Sequence, residues 1–280
     1  MSRPLHESRI RIHVVAGGFP PGTPAGHDMD YARLRLLGLL GEAPRVACTV
    51  ASDFADVERW LPGSACLVTY VAGPFPDAAQ TAAIEAWLAG GGRWLALHGT
   101  SGGKAVRVEH PSGTRKQMVR MAHHDTLGGF FLNHPPVRRF AVRVADRDHP
   151  ITAGVPETFE TADELYLVEL RRPAETRVLL TTELEGDPSP PDFGFVYERD
   201  TSALADGRTR AIGFVREAGD GGVAYLALGH THSPGNCTQR YVDASVVPSG
   251  ETPPTFRGSW EHPAFERLLR NAIGWGTAAA

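Results

Sequence analysis

The chain has 280 residues, of which 42% are hydrophobic and 21% charged, and its formal net charge is −4 at pH 7. This length supports a sizeable core in one large domain or at most two. The balance of charges shows no basic block that would favour nucleic-acid binding, and the apolar stretches fall short of the ~20 residues that span a bilayer.

The amino-terminal sequence and the number of cysteines indicate the cellular compartment of the protein. Residues 1–18 lack the apolar region of a secretory signal. The three cysteines, Cys48, Cys66 and Cys237, are too few and too scattered for a disulfide framework. We therefore predict a soluble, cytoplasmic protein without membrane association.

The first hundred residues alternate between two patterns. Apolar runs at 9–18, 45–50, 65–71 and 93–99 predict strands, and the segments 30–42, 53–61 and 76–92 predict helices. Asp53 is a candidate helix N-cap, while Pro76 and Asp77 open the clearest helix. Strands that are apolar throughout and separated by helices indicate a mostly parallel α/β sheet with helices on both faces.

The second half follows another pattern. Residues 101–125 are polar and predict an excursion over the surface. Strand-like runs then follow in quick succession, so additional antiparallel strands are expected; they lie at 138–145, 157–170, 176–183, 193–199, 210–217 and 222–230. Residues 218–222 predict a hairpin turn, and 262–276 a closing helix. Long loops near 100–135 and 233–258 each follow a strand that ends in histidine, and loops of this length are usually functional or disordered.

Polar residues lie at or just beyond the predicted strand ends, where open parallel sheets bind their ligands. His98 ends the fourth strand, and His230 and His232 follow the last one. The other candidates are His27 and Asp28 in the loop after the first strand, His134, and Glu164 shortly before Tyr166. Imidazole is a common metal ligand and acid–base group. His98 and His230 are therefore candidate ligands of a divalent metal such as zinc, in a site that keeps a water position open.

No recognised ligand signature such as H-E-x-x-H is present, so the same residues also suit proton transfer without a metal. Residues 99–104 lack the P-loop spacing, residues 15–18 lack G-x-G-x-x-G, and no nucleotide cofactor is expected. The sequence also lacks a G-x-S-x-G elbow.

Five segments in order resemble the ThuA-like (trehalose utilisation) family: "GGGRWLALHGTSGG", "LGGFFLNHPP", "VADRDHPITAGVPETFETADELYLVEL", "GGVAYLALGHTHSPGN" and "HPAFERLLRNAIGWG". The resemblance implies one ThuA-like domain over residues 1–280 with a flavodoxin-like, class I glutamine amidotransferase-like fold. Amidotransferases carry a nucleophilic Cys on the turn after a central strand and a catalytic His after a later strand. Here the first position is His98 and the second His230. Without that Cys, glutamine hydrolysis is not expected.

The resemblance also implies carbohydrate metabolism, with a sugar or keto-glycoside as the small-molecule substrate. We predict His98, His230 and Glu164 as catalytic, with His98 and His230 also as the tentative metal ligands. The predicted substrate-binding residues are His27, Asp28, His134, Tyr166 and His232. The reaction would be that of a keto-sugar isomerase, lyase or hydrolase. A non-catalytic sugar- or metal-binding module is the alternative, and a homo-oligomer is left open.

Overall fold

The computed structural model describes residues 9–18, 26–43 and 45–278, within which the chain forms thirteen strands and five α-helices. The strands are β1 Ile10–Gly17, β2 Val46–Ala51, β3 Cys66–Val71, β4 Arg93–Leu97, β5 Lys104–His110, β6 Gly113–Val119, β7 Gly129–Asn133, β8 Arg138–Val144, β9 Thr158–Asp163, β10 Leu167–Leu170, β11 Thr176–Glu183, β12 Thr209–Ala218 and β13 Gly221–Leu226. The helices are α1 Met29–Glu42, α2 Val57–Trp60, α3 Ala78–Ala89, α4 His123–Leu127 and α5 Pro263–Thr277.

A nine-stranded mixed sheet organises the molecule, in the order β2-β1-β3-β4-β13-β12-β11-β8-β9. The strands from β2 to β13 pair in parallel, and those from β13 to β9 pair antiparallel. The predicted α/β fold, with a mostly parallel first half and antiparallel strands later, is thereby confirmed. The carboxyl ends of β1, β3, β4 and β13 meet at one edge of the sheet.

The local sequence explains where the main helices begin and how the centre is buried. Asp28 caps α1 by accepting a hydrogen bond from the Tyr31 N–H, and Asp77 forms a capping box with Gln80 at the start of α3. Every residue of β3 is buried, as an apolar central strand requires. Helix α1 packs against α5, and α2 packs against α3, so the sheet carries helices on both faces.

Several local predictions need correction. The segment 53–61 forms only the short helix α2, because Asp53 accepts a hydrogen bond from the Ala55 N–H in a turn before it. The predicted strand at 157–170 is interrupted and gives β9 and β10, while 193–199 contains only an isolated bridge at Val196. The excursion after residue 100 contains the hairpin β5–β6.

The hairpin predicted at 218–222 is confirmed, since it joins β12 to β13. In the part of the chain that the structure describes, no helix has the length and apolar character needed to cross a membrane.

Candidate functional site

Four side chains from distant parts of the chain converge at the carboxyl edge of the parallel strands. They are His27, His98, Glu164 and His230, and one ligand atom of each lies within 4.8 Å of those of the others. His27 precedes α1, His98 follows β4, and His230 follows β13. Glu164 instead follows β9, at the opposite end of the sheet order. This His₃Glu cluster is able to hold a metal ion.

His98 occupies a sharp turn directly after β4. Its φ of +43° lies in the left-handed region, which is uncommon for a residue with a side chain. The next residue must be glycine, since a Cβ at Gly99 would lie 2.3 Å from the Val71 carbonyl oxygen. The Tyr225 hydroxyl donates to the His98 carbonyl at 2.9 Å. The turn therefore presents a buried imidazole at the carboxyl end of β4.

A buried carboxylate holds the turn that carries His230. Asp163 accepts hydrogen bonds from the backbone N–H groups of Gly229 and His230, each at 2.8 Å, and from the Ser259 hydroxyl. Gly229 has a φ of +119°, which favours glycine. Asp163 thus ties the end of β9 to the end of β13, and this brings the following residue, Glu164, into the cluster.

One oxygen of Glu164 faces the three histidines. The distances from Oε2 are 3.1 Å to His230 Nδ1, 3.3 Å to His98 Nε2 and 3.5 Å to His27 Nε2. The His27 and His98 Nε2 atoms are 3.0 Å apart. Glu164 Oε2 and His230 Nδ1 are both buried and have no hydrogen-bond partner among the described residues.

Hydrogen bonds on the outer side of two rings determine which nitrogen is protonated. His98 Nδ1 lies 2.6 Å from the Ala227 carbonyl oxygen, which only accepts, so Nδ1 carries the hydrogen and Nε2 presents a lone pair. By the same reasoning, His232 Nε2 donates to the Pro253 carbonyl at 2.8 Å. His232 Nδ1 must then accept from His230 Nε2 at 3.0 Å, which leaves the lone pair of His230 Nδ1 facing Glu164.

The pKa of His230 agrees with a neutral ring, because burial lowers it to about 3 although Glu164 opposes the shift. Burial raises the pKa of Glu164, but positive charge on the His134 and His230 rings and hydrogen bonds from His230 and His27 act in the other direction and lower it well below its usual range. A buried carboxylate therefore faces two imidazole lone pairs, an arrangement that is repulsive without a positive charge between them.

The donor atoms fit a metal ion. Metal–ligand distances of 2.0–2.2 Å place neighbouring ligand atoms about 3.3 Å apart around a tetrahedral ion, and closer around an octahedral one. Four of the six separations in the cluster, at 3.0–3.5 Å, match this spacing, and all six lie within 4.8 Å. The carbonyl behind His98 and the ring behind His230 are the outer partners that metal-bound histidines commonly have.

The other predicted site residues surround the cluster. Tyr166 stacks on His98 with a 4.1 Å centroid separation, and its hydroxyl lies 3.4 Å from His27 Nε2. His134 Nε2 lies 3.6 Å from Glu164 Oε1. Asp28 accepts from Arg257 at 2.8 Å in addition to capping α1. The roles of these residues in substrate binding stay predictions.

Two contacts of the site were not predicted from the sequence. Gln239 donates from Nε2 to Glu164 Oε1, and no pattern in the loop at 233–258 distinguishes it. Arg257 joins the start of α1 to the segment after His230 through Asp28 and the Thr231 hydroxyl. His230 is predictable because it follows a strand, but this criterion identifies neither Gln239 nor Arg257.

Comparisons with known proteins agree with this architecture. The family model described as "ThuA: Trehalose utilisation" matches residues 23–235. A ThuA-like protein from Bacteroides uniformis has a similar structure, with a TM-score of 0.60 at 17% identity over 98% of this chain and 95% of that one. A ThuA-like protein from Parabacteroides merdae gives 0.57 at 15% identity, over 96% and 90% of the two chains.

A larger enzyme contains a similar fold. The β-galactosidase from Rahnella sp. R3 gives a TM-score of 0.53 at 11% identity, over 97% of this chain but only 32% of the enzyme. A search of curated proteins finds no match. Because the family model covers most of the chain and two ThuA-like structures align along nearly all of it, the protein belongs to the ThuA, or trehalose utilisation, family.

Proposed function

We propose that the protein is a metal-dependent enzyme of carbohydrate metabolism that acts on a keto-sugar or keto-glycoside. The observation that carries this proposal is the buried Glu164 Oε2 facing the lone pairs of His98 and His230. Two imidazoles and a carboxylate in this arrangement favour a divalent first-row transition metal, and zinc is one that such ligands commonly bind. His27 completes the proposed ligand set.

The proposed reactions depend on the ketone, which makes the proton on the neighbouring carbon easier to remove. Removal of a proton from the carbon next to a ketone leaves negative charge on the ketone oxygen. A bound divalent metal would supply the positive charge that stabilises this oxygen. Isomerisation and elimination both begin with this proton removal, so one base and one stabilising group serve either reaction.

His134 is the residue that we assign to proton transfer. Its Nδ1 donates to the Pro135 carbonyl at 2.9 Å, so the lone pair lies on Nε2, on the side of Glu164. Its side chain is 13% exposed, whereas those of His98 and His230 are fully buried. Tyr166 stays protonated, because burial raises its pKa well above the usual range, and its hydroxyl is available as a hydrogen-bond donor.

The second candidate is a non-catalytic binding module, because four protein ligands around a tetrahedral ion would make a closed, structural site. Two features favour an enzyme. His27 and His134 are partly accessible to solvent, at 12% and 13% exposure. His134 also places a further imidazole 3.6 Å from the Glu164 carboxylate, where it would be available for proton transfer.

Replacement of the two buried histidines tests the proposal. We expect His98→Ala and His230→Ala each to lose stoichiometric metal, measured by elemental analysis, and at least 100-fold of the turnover of 3-keto-glycosides. His110→Ala serves as a matched control, because His110 is exposed in the β5–β6 hairpin. Unchanged turnover in both variants would overturn the assignment, and metal binding without turnover by the wild type would favour the binding module.

A further inference from the structure

The side chain of Gln239 combines two features that the proposed chemistry has not used. Its Nε2 donates to Glu164 Oε1. Its own Oε1 is buried and has no hydrogen-bond partner among the described residues. The orientation of the amide is unambiguous, because a carboxylate oxygen accepts and only the NH₂ end of the amide donates.

The hydrogen bond from Gln239 to Glu164 determines which carboxylate oxygen would bind the metal ion. With Oε1 held by Gln239, only Oε2 remains directed at the three histidines. Gln239 is therefore a positioning residue that keeps the carboxylate in a one-oxygen orientation. Partners of this kind typically change metal affinity 10- to 100-fold when they are removed.

The unpartnered oxygen is a free acceptor within the described part of the chain. Amide geometry places it about 2.3 Å from Nε2, and so within a few Å of Glu164. No described residue donates a hydrogen bond to this oxygen. A buried acceptor left without a donor costs about 1–3 kcal/mol, so this position favours a ligand that brings a hydroxyl.

We propose that Gln239 recognises a hydroxyl group next to the ketone of the substrate, so that the preferred substrate class is an α-hydroxy ketone sugar. This inference rests on the proposed function. Gln239 lies on the loop at 233–258, which Arg240 joins to the segment at 185–199 by an ion pair with Asp192. The Gln239 amide reaches Glu164 of the cluster through the hydrogen bond to Oε1, independently of this exposed ion pair.

The test uses methyl 3-keto-glucoside and its 2-deoxy and 4-deoxy analogues, with dissociation constants measured by calorimetry. We expect the wild type to prefer the parent sugar by roughly 10-fold over one of the two analogues. Gln239→Met should lose that preference, and Gln239→Leu is the second variant if the first is poorly folded. Equal binding of all three sugars by the wild type, or an unchanged preference in both variants, would overturn the recognition of the hydroxyl.

Metal affinity is measured on the same proteins by competition with a chelator. Gln239→Met should bind Zn²⁺ at least 10-fold more weakly than the wild type. Arg240→Met is the control on the same loop, because its ion pair is exposed and contributes little. Unchanged affinity in Gln239→Met would overturn the positioning role. If the wild type binds the sugars selectively but does not turn them over, the proposed function fails while the role of Gln239 stands.

Discussion

The conformation of His98 is the clearest single-residue indication of function. A non-glycine residue at a φ of +43° costs of order 1–3 kcal/mol and persists only where the surroundings enforce it. Here the hydrogen bonds to its carbonyl and its ring, together with the close approach at Gly99, hold the turn. The strained turn after β4 therefore fixes the position of the His98 imidazole in the cluster.

Burial changes the acidity of two of the three cysteines. Cys66 lies inside β3, where burial raises its pKa to about 12, so the thiol stays protonated near neutral pH. Burial also raises the pKa of Cys48. For Cys66, burial outweighs the nearby Arg93 guanidinium, which acts to lower its pKa.

Asp163 provides a prediction at the residue scale. Asp163→Asn replaces one of two accepting oxygens with an NH₂ group that would face backbone N–H donors. We expect a loss of about 3 kcal/mol in the free energy of unfolding, measured by urea denaturation. Ser259→Ala removes only one of the hydrogen bonds to Asp163 and should cost about 1 kcal/mol. A wild-type midpoint for Asp163→Asn would contradict the anchoring role.

At the scale of elements, Arg257 connects the loop at 233–258 to the start of α1. Its guanidinium donates to Asp28 at 2.8 Å and to the Thr231 hydroxyl at 3.0 Å, and it lies over the Tyr31 ring at 4.0 Å. Asp28 directly follows His27, and Thr231 directly follows His230. The contact therefore joins the side chains that follow two residues of the His₃Glu cluster, beside the backbone hydrogen bond from the Asp28 N–H to the Thr231 carbonyl at 2.7 Å.

We expect Arg257→Met to weaken metal binding about 10-fold, because His27 and His230 lose their shared support. Chelator competition measures this effect. Arg270→Met is the control, because Arg270 pairs with Glu42 and Glu266 at an exposed position away from the cluster. Equal affinity in the wild type and Arg257→Met would show that the cluster does not depend on this link.

At the scale of the whole molecule, buried neutral histidines make stability depend on pH. Burial lowers the pKa of His123 to about 3 and that of His124 to about 4. In the unfolded chain these rings take up protons near pH 6.5, so the unfolded state binds more protons in the interval between. Stability is therefore fully present above pH 6.5 and falls as the pH drops toward 4.

His123 offers a direct test of this dependence. Its ring stacks on Phe75 with a 5.3 Å centroid separation and an interplanar angle of 6°, and both ring nitrogens lack a hydrogen-bond partner among the described residues. We expect His123→Phe to raise the melting temperature at pH 5 by several degrees more than at pH 8. The exposed His110→Phe should change neither value. An identical shift at both pH values would contradict the linkage to this histidine.

Much of the fold and part of the site are predictable from the sequence. Apolar runs separated by capped helices determine the parallel half of the sheet, because only such strands are buried on both faces. The placement of His27, His98 and His230 beyond strand ends follows from this pattern, since the loops after parallel strands meet at one edge. Their convergence within 4.8 Å is a property of the tertiary structure.

Only the tertiary structure decides how Glu164 and Gln239 join the histidines. Glu164 follows β9, which lies four strands beyond β13 in the sheet order, and it reaches the cluster because Asp163 binds the backbone after β13. Gln239 lies on the loop at 233–258, whose sequence has no hydrophobic periodicity from which its position could be predicted. Local sequence patterns determine strands and helices. The hydrogen bonds of Asp163 with Gly229 and of Glu164 with Gln239 join residues 66 or more positions apart, so they depend on the tertiary fold of the whole chain.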